Sequence, residues 1–248
     1  MFQPRVALAS LSGEADVTWA RDGAEHAGCA FLGGISLDDA TRAAARRLVD
    51  RDRSEFLPDD PIAFVDRQLA AIRDVPVRPA FNVRSTTTEA TAQAARVCAD
   101  HGAILELNAH CRQDEMCAAG AGETILRDPD RLAAHVRTAS QAGAPVSVKV
   151  RAEVDGVDLG SVAETIDTAG ASAIHVDAMD SEAVVAEVVD AASLFVIANN
   201  GVRGRATARE YLEYGADAVS VGRQSDDPDV LRAVRETVDD WFTQEVSR

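Results

Sequence analysis

Basic residues are scarce in this chain and almost uniform in kind: of 25 Lys and Arg in 248 residues, Lys149 is the only lysine. Against them stand 41 Asp and Glu, for a formal net charge of −16. That balance argues against an extended basic surface for nucleic acid. It is the balance of a salt-adapted (halophilic) chain, whose self-repulsion is screened where the Debye length falls to ~3 Å at 1 M salt. Aromatics make up only 4% of the sequence, so a core must be built from Ala, Val, Leu and Ile. The four cysteines, Cys29, Cys98, Cys111 and Cys117, form no repeated C-x-x-C frame, which argues against both a disulfide framework and a zinc site. Cys29 and Cys98 stand in apolar contexts and read as core fillers. No apolar run approaches the ~20 residues of a membrane helix. Met1-Phe2-Gln3-Pro4-Arg5 lacks the shape of a signal peptide. A cytoplasmic protein with no bound metal is expected.

What the chain does have is an alternation. Apolar, β-branched runs fall at 5–9, 28–33, 77–83, 103–108, 145–150, 172–177, 194–199 and 217–221. Between them lie Ala-, Arg- and Glu-rich stretches with helical spacing at 16–26, 37–50, 61–74, 88–100, 129–141, 158–169, 181–191 and 205–214, and a last helix is expected over 228–246. Strands alternating with helices indicate a parallel sheet. Eight strands in this length predict an α/β fold, a closed (β/α)8 TIM barrel forming one domain over 1–248, with an open doubly wound sheet as the alternative. Gly102, Gly143, Gly170 and Gly215 each fall between a helix and the next strand, where a left-handed residue is useful. The one long linker expected is the acidic stretch near Asp50–Asp60.

In such barrels chemistry sits at the C-terminal ends of the strands. Those ends read Ala9-Ser10, Asn82-Val83, Asn108-Ala109-His110-Cys111-Arg112, Lys149-Val150-Arg151, His175-Val176-Asp177, Asn199-Asn200-Gly201 and Gly222-Arg223. Amide, thiol, ammonium, imidazole and guanidinium therefore converge on one rim. A lone lysine at a buried strand end, in a chain that otherwise uses arginine, suits a tight polar site that a planar guanidinium does not fit.

The motif order resembles one family. Leu107-Asn108-Ala109-His110-Cys111, then Gly120-Ala121-Gly122-Glu123-Thr124-Ile125-Leu126 and Asp128-Pro129, resembles the Asn-x-Gly-Cys-Pro signature and following glycine-rich turn of tRNA-dihydrouridine synthases. Pro145-Val146-Ser147-Val148-Lys149-Val150-Arg151 resembles their Pro-Val-Thr-Val-Lys-x-Arg strand, Val196-Ile197-Ala198-Asn199 their Val-Ile-Gly-Asn, and Val221-Gly222-Arg223 their Ile-Gly-Arg; His175 falls at their His-Gly-Arg histidine. The resemblance covers nearly the whole chain, is strongest from about 100 to 224, and extends to a shorter archaeal group of related barrels.

The resemblance implies an FMN enzyme that reduces the C5–C6 bond of uridine in tRNA. Cys111 would be the general acid, a role that suits a thiol with a free pKa of about 8.5. Lys149 would face the N1/O2 edge of the flavin. Ala9, Asn82, Asn108 and His175 would line the ring, and Asn199, Asn200, Gly201, Gly222 and Arg223 would hold the phosphate arm. NADPH or NADH would be a transient electron donor, since no Gly-x-Gly-x-x-Gly dinucleotide motif is present.

Two departures stand out. The family's Gly-Cys-Pro reads His110-Cys111-Arg112, which implies an altered substrate pocket lined by His110, Arg112 and Arg151, and leaves His110 or Cys117 open as the proton donor. The helical tRNA-gripping domain that the synthases carry after their barrel is not expected here. Three readings follow: a tRNA-dihydrouridine synthase, an FMN oxidoreductase on a free pyrimidine of the dihydroorotate or dihydrouracil type, or a non-catalytic barrel that binds a phosphate ligand. Oligomeric state is left open.

Overall fold

The computed structural model describes residues 1–246, with side chains through residue 244. Eight strands, β1 (Val6–Leu8), β2 (Cys29–Ser36), β3 (Arg78–Arg84), β4 (Ile104–Asn108), β5 (Val146–Arg151), β6 (Ala173–Asp177), β7 (Phe195–Asn199) and β8 (Ala218–Val221), pair in chain order. All pairs are parallel, and β8 returns to β1 to close the barrel. The closed barrel, and not the open sheet, is the architecture. The helices are α1 (Val17–Gly23), α2 (Asp39–Val49), α3 (Pro61–Ala71), α4 (Thr88–Asp100), α5 (Asp114–Ala118), α6 (Glu123–Leu126), α7 (Pro129–Gln141), α8 (Leu159–Thr168), α9 (Val184–Ala191), α10 (Arg205–Glu213) and α11 (Pro228–Val246).

The acidic composition starts many of these helices. Asp16, Asp38, Asp60, Asp128 and Asp158 each turn a side-chain oxygen onto the free N–H groups of the first turn, and Thr87 does the same with its hydroxyl. Pro61 and Pro129 occupy first helical positions, where a missing N–H costs nothing. At the other end, Gly102 and Gly170 follow the caps of α4 and α8 with φ of +63° and +99°, a conformation open to glycine without strain.

Because side chains alternate across a strand, each strand serves two cores. Val146, Val148 and Val150 belong with the residues packed against the outer helices. The inward residues form layers. At the bottom Ala7, Cys29, Phe31, Ala80, Ile104, Ile197 and Ala218 make a separate apolar cluster closed by Phe2. One step up the strands, Asn82, Glu106, Ser147, His175 and Ser220 form a fully buried polar layer. The next step brings Arg84, Asn108, Lys149, Arg151, Asp177 and Asn199 to the C-terminal rim. Position along a strand thus decides whether a residue is structural filling, buried scaffold or rim.

The structure differs from the sequence expectations in three places. Two short helices, α5 and α6, follow β4 where none was expected; they have five and four residues, too short for a hydrophobic period to show. Strand β2 runs on to Ser36 through Gly33-Gly34, a pair that reads as a turn, with its register shifted between Gly33 and Ile35. The acidic stretch near Asp50–Asp60 is not a free linker. Phe56 bridges to Ile35, Glu55 pairs with Arg84, and Gly13 packs too closely on Ser54 to accept a side chain. The stretch walls one side of the barrel mouth.

Candidate active site

The rim encloses a cleft with two lobes of about 570 and 430 Å³, each within the range of small-molecule sites. They share Ser10, Leu11, His110, Asp177, Asn200 and Arg223, so the cleft is continuous. The larger lobe is lined by Asn108, Cys111, Arg112 and Arg151, with Arg84 and Glu55 on the wall. The smaller is lined by Ala9, Lys149, Asn199, Gly201, Gly222 and Arg203.

Lys149 follows Ser147 in the inward row of β5 and is 3% exposed. Burial lowers the pKa of its ammonium, while the carboxylates of Glu106 and Asp177 act to keep the charge on. Ala9 beside it offers only a methyl, which leaves room over the amine.

Below the rim, hydrogen bonds converge on Glu106, which is 0% exposed. Its Oε1 accepts from Asn82 Nδ2 at 2.7 Å. Its Oε2 meets His175 Nδ1 at 2.7 Å and accepts from Ser147 Oγ at 3.3 Å. On one side the contacts continue from His175 Nε2 to Ser220 Oγ at 2.7 Å, and Asn199 Nδ2 donates to that hydroxyl at 2.8 Å. On the other side Asn108 Nδ2 donates to Asn82 Oδ1 at 3.0 Å, and Asn108 Oδ1 accepts the backbone N–H of Cys111 at 3.1 Å. Burial raises the Glu106 pKa, but His175, Lys149 and Asn82 together outweigh it and the carboxyl lies below its ordinary value. His175 is pushed down by burial and by Lys149, so its ring is neutral. Phe31 packs against that ring at 5.1 Å between centroids.

The loop carrying Cys111 is fixed from both ends. Its N–H is held by Asn108 and its carbonyl accepts from Glu123 N at 2.8 Å. The glycine-rich turn makes that second contact possible. Gly122 sits at φ +59°, and a methyl there would collide with the Cys111 carbonyl oxygen. Cys117 lies beneath the loop with Sγ donating to the Cys111 carbonyl at 3.6 Å, and burial raises its pKa. It does not line the cleft, whereas Cys111 does. His110 is half-buried over the junction of the lobes, its Nδ1 3.9 Å from Asp177 Oδ2. Burial and the cations Lys149, Arg84 and Arg151 push its pKa well below the usual histidine range. A ring that is neutral at pH 7 is a poor proton donor, which weakens the expectation that His110 is the acid.

The end of the cleft at β7 and β8, where a phosphate is expected, is rich in glycine. Asn200 and Gly201 adopt φ of +92° and +62°, and Asn200 Nδ2 donates to the Met179 carbonyl at 2.8 Å. A methyl on Gly201, Gly204 or Gly222 would meet nothing within 4 Å, so the loops after β7 and β8 surround open space. Helix α10 begins there with no side chain capping its first N–H groups, and Arg203 and Arg223 line the same lobe. A cradle of glycines, free backbone donors and guanidinium suits a phosphate. With the single ammonium and Asn108 nearby, the donor set fits FMN.

Twelve of the fourteen residues expected at the site line the cleft, namely Ala9, Asn108, His110, Cys111, Arg112, Lys149, Arg151, Asn199, Asn200, Gly201, Gly222 and Arg223; Asn82 and His175 do not. Asn82 and His175 lie one layer down, their polar atoms engaged by Glu106, Asn108 and Ser220. Arg151 is held by Glu123 at 3.3 Å and keeps a buried, unpartnered Nε. Sequence reasoning missed Glu106 and Asp177. Glu106 is the one charged residue inside the apolar run 103–108, and that anomaly was its signal. Asp177 ends β6 on the rim with a buried, unpartnered Oδ1.

Among the described residues no group of His, Cys, Asp and Glu could hold a metal ion, and no helix is long and apolar enough to cross a membrane. The four cysteines are free.

Fold and cleft together define a (β/α)8 barrel with a polar ligand site at its C-terminal mouth. The dihydrouridine synthase family profile matches residues 76–246, and the chain belongs to that family. It is 26% identical over 232 residues to an uncharacterized protein of Methanocaldococcus jannaschii, covering 88% of each chain. It is 31% identical over 156 residues to tRNA-dihydrouridine synthase B of Xanthomonas axonopodis pv. citri, covering 57% of this chain and 47% of that one. The tRNA-dihydrouridine(16) synthase of Yersinia pestis is 30% identical over 158 residues, 57% of this chain and 51% of its own. The chain thus spans about half the length of these synthases. Among solved structures, TcOYE with pHBA superposes with a TM-score of 0.67 at 11% identity, covering 96% of this chain and 90% of that one. Morphinone reductase in complex with tetrahydroNAD gives 0.60 at 14%, covering 92% and 86%. At such identities these two likenesses speak for the fold.

Proposed function

We propose that the protein is an FMN-dependent oxidoreductase that reduces the C5–C6 bond of uridine in tRNA. The observation that carries this reading is convergence: Cys111, Lys149 and the glycine cradle of β7 and β8 open into one cleft. FMN, when bound, would supply the hydride chemistry, with NADPH or NADH as the transient electron donor. Asn200, Gly201, Gly222 and Arg223 would hold its phosphate, Ala9 and Asn108 would bound the ring, and Lys149 would set a positive charge beside it. Cys111 gives its thiol proton to C5, so that one new C–H bond forms at each carbon, and the thiolate regains a proton from solvent. Asn108 keeps the Cys111 loop in register through its backbone N–H. Arg112 and Arg151 line the larger lobe and offer cations to phosphates flanking the uridine.

Purified protein supplemented with FMN is expected to be yellow and to retain flavin through desalting; colourless protein with no affinity for FMN overturns the reading. Loss of dihydrouridine at defined tRNA positions in a deletion strain is the expected cellular result. The net charge of −16 favours a second reading, a free pyrimidine as substrate, because tRNA binding rests on phosphate neutralisation. Intact dihydrouridine in that strain, with no second synthase to account for it and with turnover of uracil or orotate in vitro, would select it.

A further inference from the structure

We propose that Glu106 is the positioning residue of this site, one buried carboxylate that aligns both the Lys149 ammonium and the Cys111 loop. It deepens the functional reading above, on which the importance of those two groups rests.

An ionised carboxylate only accepts, so the proton between His175 and Glu106 must sit on Nδ1. A neutral ring then leaves Nε2 as an acceptor, and the Ser220 hydroxyl must donate to it at 2.7 Å, in preference to the Ala198 carbonyl at 3.4 Å. Asn199 Nδ2 donates to Ser220 Oγ. From the opposite side, Cys111 N–H donates to Asn108, Asn108 to Asn82 and Asn82 to Glu106. Every hydrogen bond in the chain therefore points toward Glu106, from the phosphate cradle on β7 and from the thiol loop after β4. A glutamine at 106 has one acceptor oxygen for the three donors Asn82, Ser147 and His175, so it cannot preserve this pattern.

The same carboxylate acts on Lys149. The titratable groups facing the ammonium are Glu106 on β4, Asp177 and His175 on β6, and His110 on the loop after β4. Only Glu106 and Asp177 are negative, and Glu106 is the fully buried one. Lys149 stands in register with Asn108 on β4 and with His175 on β6, the imidazole bonded to Glu106, so ammonium and carboxylate share the buried barrel interior. There a nearby opposite charge is worth on the order of one to three pH units.

The test uses the apo-protein, so it does not depend on flavin. Lysine labelled with carbon-13 at Cε gives one side-chain signal, because the chain has one lysine. Its titration midpoint is expected to fall by about one pH unit or more in Glu106→Gln, and alkylation of Cys111 by iodoacetamide, read by mass spectrometry on its own peptide, is expected to change at least about threefold as the loop loosens. An unchanged midpoint and an unchanged alkylation rate in a folded variant overturn the proposal. Nitrogen-15 spectra of histidine in the wild-type protein provide a check that needs no variant: the His175 signal, assigned by its loss in His175→Asn, is expected to be the Nδ1–H tautomer, and the Nε2–H tautomer overturns the proposed polarity. Failure of FMN to bind would count against the functional reading and would leave these apo-protein results standing.

Discussion

On the proposed function, Lys149 and Cys111 are the two residues whose removal is expected to separate binding from chemistry. Lys149 is buried; desolvation lowers its pKa, and Glu106 and Asp177 oppose that shift. Lys149→Met keeps much of the stem and removes the charge. FMN affinity, measured by quenching of flavin fluorescence, is expected to fall at least about tenfold, the ~1.4 kcal/mol that a modest charge-assisted hydrogen bond supplies. Undiminished affinity together with undiminished reduction rate would remove Lys149 from the site. Cys111→Ala removes one sulfur from a loop whose backbone is held by Asn108 and Glu123. Flavin binding is expected to be unchanged, and product formation to fall about 10²–10⁴-fold, the usual worth of a general acid. Activity near the wild-type level would instead point to solvent as the donor. His110 is poorly placed to substitute because its ring is neutral, and Cys117 because its thiol is turned under the loop.

The short connection from β4 to α7 shows how an element too small to be legible still decides the site. Gly122 lets the chain pass directly over Cys111, and its neighbour Glu123 donates its backbone N–H to the Cys111 carbonyl. Gly122→Ala places a methyl against that oxygen at a positive φ, and is expected to cost about 1–3 kcal/mol. Thermal unfolding should shift down accordingly, and Cys111 should become faster to alkylate than in wild type; an unaltered melting point would contradict the close approach. The main strands and helices were readable because each carries its own period and its own cap: Asp60-Pro61 and Asp128-Pro129 mark helix starts, and α4 and α7 fall at their expected bounds. The rim residues were readable because strand ends in a barrel share one face. Helices α5 and α6 were not, since their order comes from contacts with α2, α7 and β5 and not from a local pattern. Nor was the depth of Asn82 and His175, because the layer in which a side chain lies depends on the stagger of neighbouring strands, which one sequence does not display. Glu106 was hidden for a different reason. A carboxylate in a buried strand looks like an interruption of the core until its partners on β3, β5 and β6 are brought around it.

For the whole molecule, acid is the condition that acts on several of these buried groups at once. His135, on the buried face of α7, has Nδ1 2.8 Å from Thr91 Oγ1 of α4, and burial, with Arg131 adding to it, lowers its pKa to about 4. His110 and His175 are lowered in the same direction, each chiefly by burial. A histidine whose folded pKa lies below its unfolded value of about 6.5 binds a proton more readily once the chain unfolds. Its contribution is therefore complete above pH 6.5 and is lost as pH falls toward the folded value. For His135 alone this amounts to about 2 kcal/mol at pH 5 and about 3 kcal/mol at pH 4. The depressed carboxyls of Asp38 and Glu106 act in a lower window: their contribution is present above the unfolded carboxyl range near pH 4 and is lost below it. Protonation of surface carboxylates also begins there and relieves the self-repulsion of a net charge of −16, which works in the opposite sense. The histidines thus act first, over an interval in which few exposed acids titrate. Urea denaturation at constant ionic strength is expected to show a flat midpoint above pH 7 and a steady fall from pH 6.5 to 4.5, with His135→Gln reducing the slope. A midpoint that stays level to pH 4.5, or rises as acid neutralises the surface, would mean that whole-molecule charge outweighs the buried rings.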